Sequence, residues 1–222
     1  MLHVIDIVGF MNKKSSAHYQ REFRRRLREQ GLVKKEVWIR PEHAKRLSAV
    51  EKQLRKASAS TWINTGEVIM GNANESMTMW TTSSLYEALL AKPLFSEGAA
   101  TIELIDGVEP SLHIVMKEYG DLPVFLTVAG EQIIVESVLW SSDEVADVTG
   151  FNDAVLRTHK YFPLSTISLD SMADGQDYYH MFGALSASSL LDNIVFEIEV
   201  LATNVIQATE AYGEFLTSQT AS

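Results

Sequence analysis

The chain has 222 residues, 46% of them hydrophobic, which is enough for one good-sized domain with a smaller one appended and too much for wholesale disorder. It contains no cysteine, which excludes disulfides, thiolate nucleophiles and Cys-ligated zinc and fits a reducing, cytoplasmic setting. The formal net charge of −10 is unevenly placed: residues 13–56 hold fifteen of the nineteen Lys+Arg against five Glu, whereas residues 57–222 hold four cations against twenty-three Asp+Glu. Such asymmetry implies a cationic module joined to an acidic body.

Residues 1–11, MLHVIDIVGFM, are apolar but too short to span a bilayer and lack the basic lead-in of a secretory signal. Two readings stand for them, an over-extended start ahead of Met11 and a short strand. Residues 15–30 read as a helix with Ser15 or Ser16 as N-cap, and Tyr19, Phe23 and Leu27 form a narrow apolar stripe on a basic rod. Gly31 supplies a stop. Leu32–Arg40 is a strand candidate, and Pro41 opens a second helix with Ala44, Leu47, Val50 and Leu54 on one side. Residues 12–57 thus form a basic helix-strand-helix module. Residues 58–79, rich in Ser, Asn and Gly, read as a linker with a short strand at 67–70 and with Trp62 docking on a neighbouring domain.

The acidic body spans 80–217, ahead of a tail at 218–222. Ser84 and Glu87 have capping-box spacing for a helix that ends before Pro93. Strands are predicted at 100–105, 111–117, 123–129 and 132–140, and Leu112/Ile114/Met116 and Val124/Leu126/Val128 alternate as in a sheet with one covered face. A helix follows at 151–162, then strands at 165–169 and 178–185 around the turn Asp174-Gly175. The last helix, 190–216, starts at a capping-box-like Ser189/Asp192. Its apolar residues Leu191, Ile194, Ile198, Leu201, Val205, Ala208, Tyr212 and Phe215 recur at alternating spacings of three and four. Val195, Ala202 and Ile206 widen that face, so the helix has apolar surface for a sheet and for a second chain. The order α-β-β-β-β-α-β-β-α gives an α+β fold with an antiparallel sheet.

No catalytic signature is present: the chain has no phosphate loop, no dinucleotide fingerprint, no HExxH and no nucleophile elbow. No cofactor, metal or catalytic residue is therefore expected, and the protein reads as a non-enzyme. The six histidines are scattered and read as hydrogen-bonded structural residues. Asp170, Asp174 and Asp177 lack the ligand pattern of a calcium loop and read as turn chemistry. Tyr178 and Tyr179 would point to opposite faces of a strand, one to the core and one to the surface, and Trp140 reads as core. The strand and helix after Gly31 have the form of half a ribbon-helix-helix DNA reader, with Arg40 placed to read guanine, but the second helix of that motif is missing. General binding to a polyanion, neutralisation of the acidic body in cis and weak contact with anionic lipid are the other readings of the basic arm.

Several segments resemble one family: WTTSSLYEALL (80–90), EYGDLPVFLTVAGEQIIVESVLW (118–140), FNDAVLRTHKYFPLS (151–165), DGQDYYHMFGALSASS (174–189) and IEVLATNVIQATEAY (198–212). Together they are similar to the YjfI family of bacterial proteins, and SAHYQREFRRRLREQGLVKKEVWIRPEHAKRL resembles an N-terminal extension carried by only some members. The resemblance implies no activity and no catalytic residue. It implies an accessory role in envelope stress, because members tend to be encoded beside PspA-like proteins. The element order is also similar to that of type III secretion chaperones, an analogy of fold alone.

The sequence is thus read as a cytoplasmic adaptor or chaperone-like homodimer that binds a protein partner, with a PspA-like protein as the partner the resemblance implies. Arg24, Arg25, Arg26, Arg28, Lys34, Lys35, Arg40 and Lys45 would contact an anionic partner, nucleic acid or surface. Leu191, Ile198, Leu201, Val205 and Tyr212 would supply core and dimer contacts. The alternative is a DNA-binding regulator built on the basic module.

Overall fold

The structure, a computed structural model, describes residues 15–34, 37, 47, 50–51, 79–107, 109–172 and 175–217. Two compact units are present, one of Met1–Arg24 with Met77–Ser222 and one of Arg25–Ser76. The division falls inside the first helix, α1 (Ser16–Glu29), whereas the charge pattern placed that helix wholly in the basic module.

In the smaller unit α1 ends as expected at Gly31. This glycine has φ 76°, its N–H bonds the Arg28 carbonyl, and the Leu32 N–H bonds the Leu27 carbonyl, which together make a Schellman stop. Leu32–Lys34 and Val37 are not in a strand, and Leu47, Val50 and Glu51 are helical. The remainder of the expected strand and second helix, the linker with Trp62 and the two chain ends lie outside the described residues.

The larger unit contains α2 (Thr82–Leu90), α3 (Pro93–Ser96), β1 (Ala100–Ile105), β2 (Ser111–Met116), β3 (Leu122–Ala129), β4 (Gln132–Ser141), α4 (Val148–Thr158), β5 (Thr166–Ser171), β6 (Asp177–Ser186) and α5 (Leu191–Ala211). The strands form one antiparallel sheet in the order β1-β2-β3-β4-β6-β5. This is the expected α+β architecture.

Pairing register decides what each face carries, because directly opposed residues project to the same side. One row runs Leu104–Leu112–Leu126–Val135–Gly183, and α5 lies over it. The adjacent row, Glu103–His113–Phe125–Glu136–Phe182–Thr166, projects to the opposite face. A register shift between Val138 and Trp140 brings Trp140 opposite Tyr179. Leu85, Leu89, Leu112, Leu126, Val135, Ile194, Ile198, Leu201 and Val205 are fully buried in the resulting core.

Two helix starts differ from expectation. The capping box of α2 is Thr81 with Ser84, whose hydroxyls each accept from the other residue's backbone N–H, not Ser84 with Glu87. At α5 the N-cap is Leu190 and no side chain caps it, because Asp192 pairs instead with Lys92. The apolar periodicity past Ala211 belongs to a 3-10 turn, Gly213–Phe215, that folds Phe215 back onto Phe151. Trp80 donates through Nε1 to the Ser189 carbonyl and through its backbone to Ala187, tying the start of the body to the β6–α5 loop.

Phe151 of α4 is the hub of an aromatic cluster. It meets Trp140, Tyr179, Tyr212 and Phe215 edge-on, with ring centroids between 4.7 and 5.8 Å away. The Tyr179 hydroxyl donates to Asn152 and the Tyr212 hydroxyl bonds Thr158, so both buried phenols are satisfied. Tyr178 points to the other face as expected, but it too is buried. Phe151→Ala should cost about 3–5 kcal/mol of unfolding free energy, measured by urea denaturation, because four rings lose their common neighbour.

Candidate functional site

The residues singled out for charge separate on inspection. Arg24 bonds Glu210 on α5 at 2.9 Å with both side chains half-exposed, and Arg25 pairs with Glu29 one turn along α1. Arg26 is half-buried, while Arg28 and Lys34 are exposed. Lys35, Arg40 and Lys45 lie outside the described residues. The residues singled out on the last helix serve the core: Ile198, Leu201 and Val205 are fully buried, Tyr212 nearly so, and Leu191 is half-buried. Of the residues that widen the apolar face of this helix, Val195 is half-buried, and Phe196 beside it is 38% exposed. Ala202 and Ile206 are covered, and Gln20 of α1 donates to the Ile206 carbonyl at 3.2 Å.

The most unusual local arrangement is a strap, Pro163-Leu164-Ser165, between α4 and β5. Leu164 has φ 64°, a left-handed conformation that a branched side chain rarely adopts. Asn204 on α5 holds the strap from beneath, donating to the Pro163 carbonyl at 2.8 Å and the Ser165 hydroxyl at 2.9 Å. Glu197 lies seven residues earlier on the same face of α5, so its side chain reaches the sheet two turns away. There the sequence provides Gly183. A Cβ at that position would collide with Glu197 Oε1 and lie 3.2 Å from the Leu164 carbonyl oxygen. The carboxyl group and the strap carbonyl therefore converge on bare backbone.

Glu197 is 1% exposed and its Oε1 has no hydrogen-bond partner. Burial alone pushes its carboxyl up to about 7. On the solvent side Tyr161 is 74% exposed, Leu164 59% and Leu156 76%, with the Lys160 ammonium over the Tyr161 ring and the exposed Arg157–Asp153 pair beside Leu156 on α4. An acid placed under a strained strap gives that strap a support whose charge changes near neutral pH.

On the opposite face of the sheet His113 Nδ1 lies 2.6 Å from Glu103, and its ring stacks on Phe125. His159 Nδ1 bonds the Thr166 hydroxyl. Both behave as the structural histidines expected. His180 does not, since it is 3% exposed, Glu136 is 3.5 Å away and neither ring nitrogen has a hydrogen-bond partner. Ser168 and Ser171 donate to Asp170 and Asp177, so those aspartates do turn and strand chemistry, and Asp174 lies outside the described residues. Among the described residues no cluster of three or more His, Asp or Glu could hold a metal ion.

Sequence reasoning missed Glu197, Asn204 and Gly183. The signal was present: Glu197 adjoins Ile198 and Asn204 adjoins Val205 on the buried stripe of α5, and a lone glycine inside a strand marks close approach. The sign of the pH effect follows from the raised value. Between about 4.5, the ordinary carboxyl value, and about 7, the folded chain keeps a proton that the unfolded chain has lost, so Glu197 makes stability fall as pH rises through that window. In thermal melts at pH 5 and pH 8, Glu197→Gln should remove this part of the pH dependence. At pH 8 it should melt about 2–4 °C above the parent, as for a gain of about 1 kcal/mol.

Two solved structures are similar to part of this chain. One is an uncharacterized protein from Methanothermobacter thermautotrophicus, 15% identical with a TM-score of 0.44, covering 59% of this chain and 99% of its own. The other is YbjN from E. coli, 12% identical with a TM-score of 0.42, covering 59% and 95%. In sequence the chain is 34% identical over 107 residues to "Uncharacterized protein YjfI" from Escherichia coli strain K12, and equally to its counterpart in E. coli O157:H7, covering 48% of this chain and 80% of each relative. Residues 79–216, the whole acidic body with its strap and its buried glutamate, match the family described as "Uncharacterized protein conserved in bacteria (DUF2170)". This chain therefore belongs to the DUF2170 family.

Proposed function

We propose that the protein is a non-enzymatic adaptor that holds a partner polypeptide on its acidic body, through the exposed Leu164 of the strap and the exposed apolar residues Leu156, Tyr161 and Leu169 of the elements on either side of it, together called the rim. The observation that carries this reading is Leu164. A branched residue is kept in a left-handed conformation by Asn204 beneath it, while its side chain is left 59% exposed. Strain of this kind persists only where surrounding structure enforces it, and apolar groups beside an open sheet edge are a recurrent means of capturing an extended peptide. Among the described residues β5 pairs with β6 alone, at the edge of the sheet.

The exposed Arg28 and Lys34 belong to a segment whose charge suits an anionic partner or surface. In the setting implied by the family resemblance, a PspA-like protein is the first partner to try. The DNA-reading alternative rests on a strand at 32–40 that, in a ribbon-helix-helix, forms by pairing with the same strand of a second chain. Among the described residues no helix is long and apolar enough to cross a membrane.

Leu164→Asn separates binding from folding, because asparagine tolerates φ 64° better than leucine does. The variant should keep or raise the thermal midpoint while losing about tenfold in affinity for a purified PspA-like protein, about 1.4 kcal/mol by calorimetry. Equal affinity of parent and variant would remove the rim from the reading. If about five cations engage a polyanion, log K should fall with log salt at a slope of about −4 to −5, alike for two unrelated DNA duplexes followed by anisotropy. A strong preference for one duplex would return the DNA-reading alternative.

A further inference from the structure

The first half of α1 lies in a groove of the acidic body. Its buried residues are Ser16, Tyr19, Gln20 and Phe23, the i, i+3, i+4, i+7 pattern of a helix seated lengthwise. One wall of the groove is α5 from Thr203 to Glu210, and the other is the turn Lys117–Asp121. Phe23 stacks on Tyr119 with centroids 5.4 Å apart and planes 5° from parallel, and the Tyr119 hydroxyl is fixed by Thr203 at 2.9 Å. Gln20 bonds the Ile206 carbonyl and Arg24 bonds Glu210.

The turn is shaped for this neighbour. Gly120 has φ 78°, and a Cβ on it would lie 2.7 Å from the Tyr19 carbonyl oxygen and 2.9 Å from Glu22 Cβ. No side chain fits there with α1 in place. Ser15, Ser16 and Ala17 line a cavity of about 30 Å³ with Trp140, Glu144, Leu216 and Thr217, so the helix meets the body along this whole stretch.

The walls and the occupant have different origins. Both walls, Thr203–Glu210 and Lys117–Asp121, lie within 79–216, the stretch that matches the family, and α1 lies outside it. The walls belong to the acidic part of the chain, and the occupant comes from the basic part. We propose that the groove is a receptor site of the family domain for a basic amphipathic helix with two aromatic residues one turn apart followed by arginine, and that α1 fills it as an internal ligand. A partner carrying such a helix binds by displacing α1. This site is separate from the Leu164 rim and goes beyond the reading given for it.

The test uses the full chain and a labelled peptide of residues 15–30, followed by anisotropy. The parent should bind the peptide weakly, because the tethered α1 competes at millimolar effective concentration. The Tyr19→Ala/Phe23→Ala chain, with its own helix weakened, should bind at least tenfold more tightly, and Gly120→Ala added to it should reverse the gain. Arg24→Glu, a milder change at a half-exposed position, should tighten peptide binding severalfold and carries the comparison if the double variant has no cooperative melt. Folded variants that bind the peptide no better than the parent would overturn the proposal, as would indifference to Gly120→Ala. Leu164→Asn should leave peptide binding unchanged, so the groove and the rim stand or fall separately.

Discussion

The larger unit depends on one helix, α5, lying across β3, β4 and β6 with a face that is not uniformly apolar. Ile194, Ile198, Leu201 and Val205 each contribute about 1.5–3 kcal/mol when fully buried, on the order of 10 kcal/mol together as an upper estimate. That sum tolerates a buried carboxyl and a buried amide in the same face. Asn204 spends its donors on the strap, and Glu197 uses the space left by Gly183. Helix, glycine and strap are thus a single constraint: the strap has its left-handed residue because α5 holds both sides of it.

Charge and packing divide the work of α1 unequally. The Arg24–Glu210 pair is half-exposed, and such pairs contribute at most about 1 kcal/mol. Tyr19 and Phe23 bury aromatic rings, which contribute more than the ion pair does. The aromatic residues therefore hold the helix, and the arginine helps to orient it. Charge segregation along the sequence described two electrical regions correctly, but the fold does not divide where the charge changes sign.

Most of the architecture was legible. Six strands and the three longer helices of the body followed from alternation, from three-four spacing and from the punctuation at Pro163, Gly130 and Gly175, because burial on one face leaves a direct trace in the order of residues, whereas the short α3 at Pro93–Ser96 did not. Cap assignments were less legible, since Ser84 and Asp192 have partners, Thr81 and Lys92, that spacing rules do not weigh. The site was least legible. Glu197 and Asn204 look like ordinary polar residues of an amphipathic helix until the rotation of α5 on the sheet is known. Leu164 carries no mark of its backbone conformation, because leucine is seldom chosen for it. On the wide apolar face of α5, Ala202 and Ile206 are covered, and Gln20 of α1 bonds the Ile206 carbonyl.

The bond from Gln20 to the Ile206 carbonyl joins residues 186 positions apart. On a ribosome adding about 5–20 residues per second, α1 leaves the tunnel roughly 10–40 s before its counterpart on α5 exists. The sheet can form meanwhile, since four of its five strand pairings join sequence neighbours, but the aromatic stripe of α1 lacks its α5 wall until synthesis nears Glu210. During that interval a nascent chain displays a basic, ring-bearing helix to whatever lies near the tunnel exit.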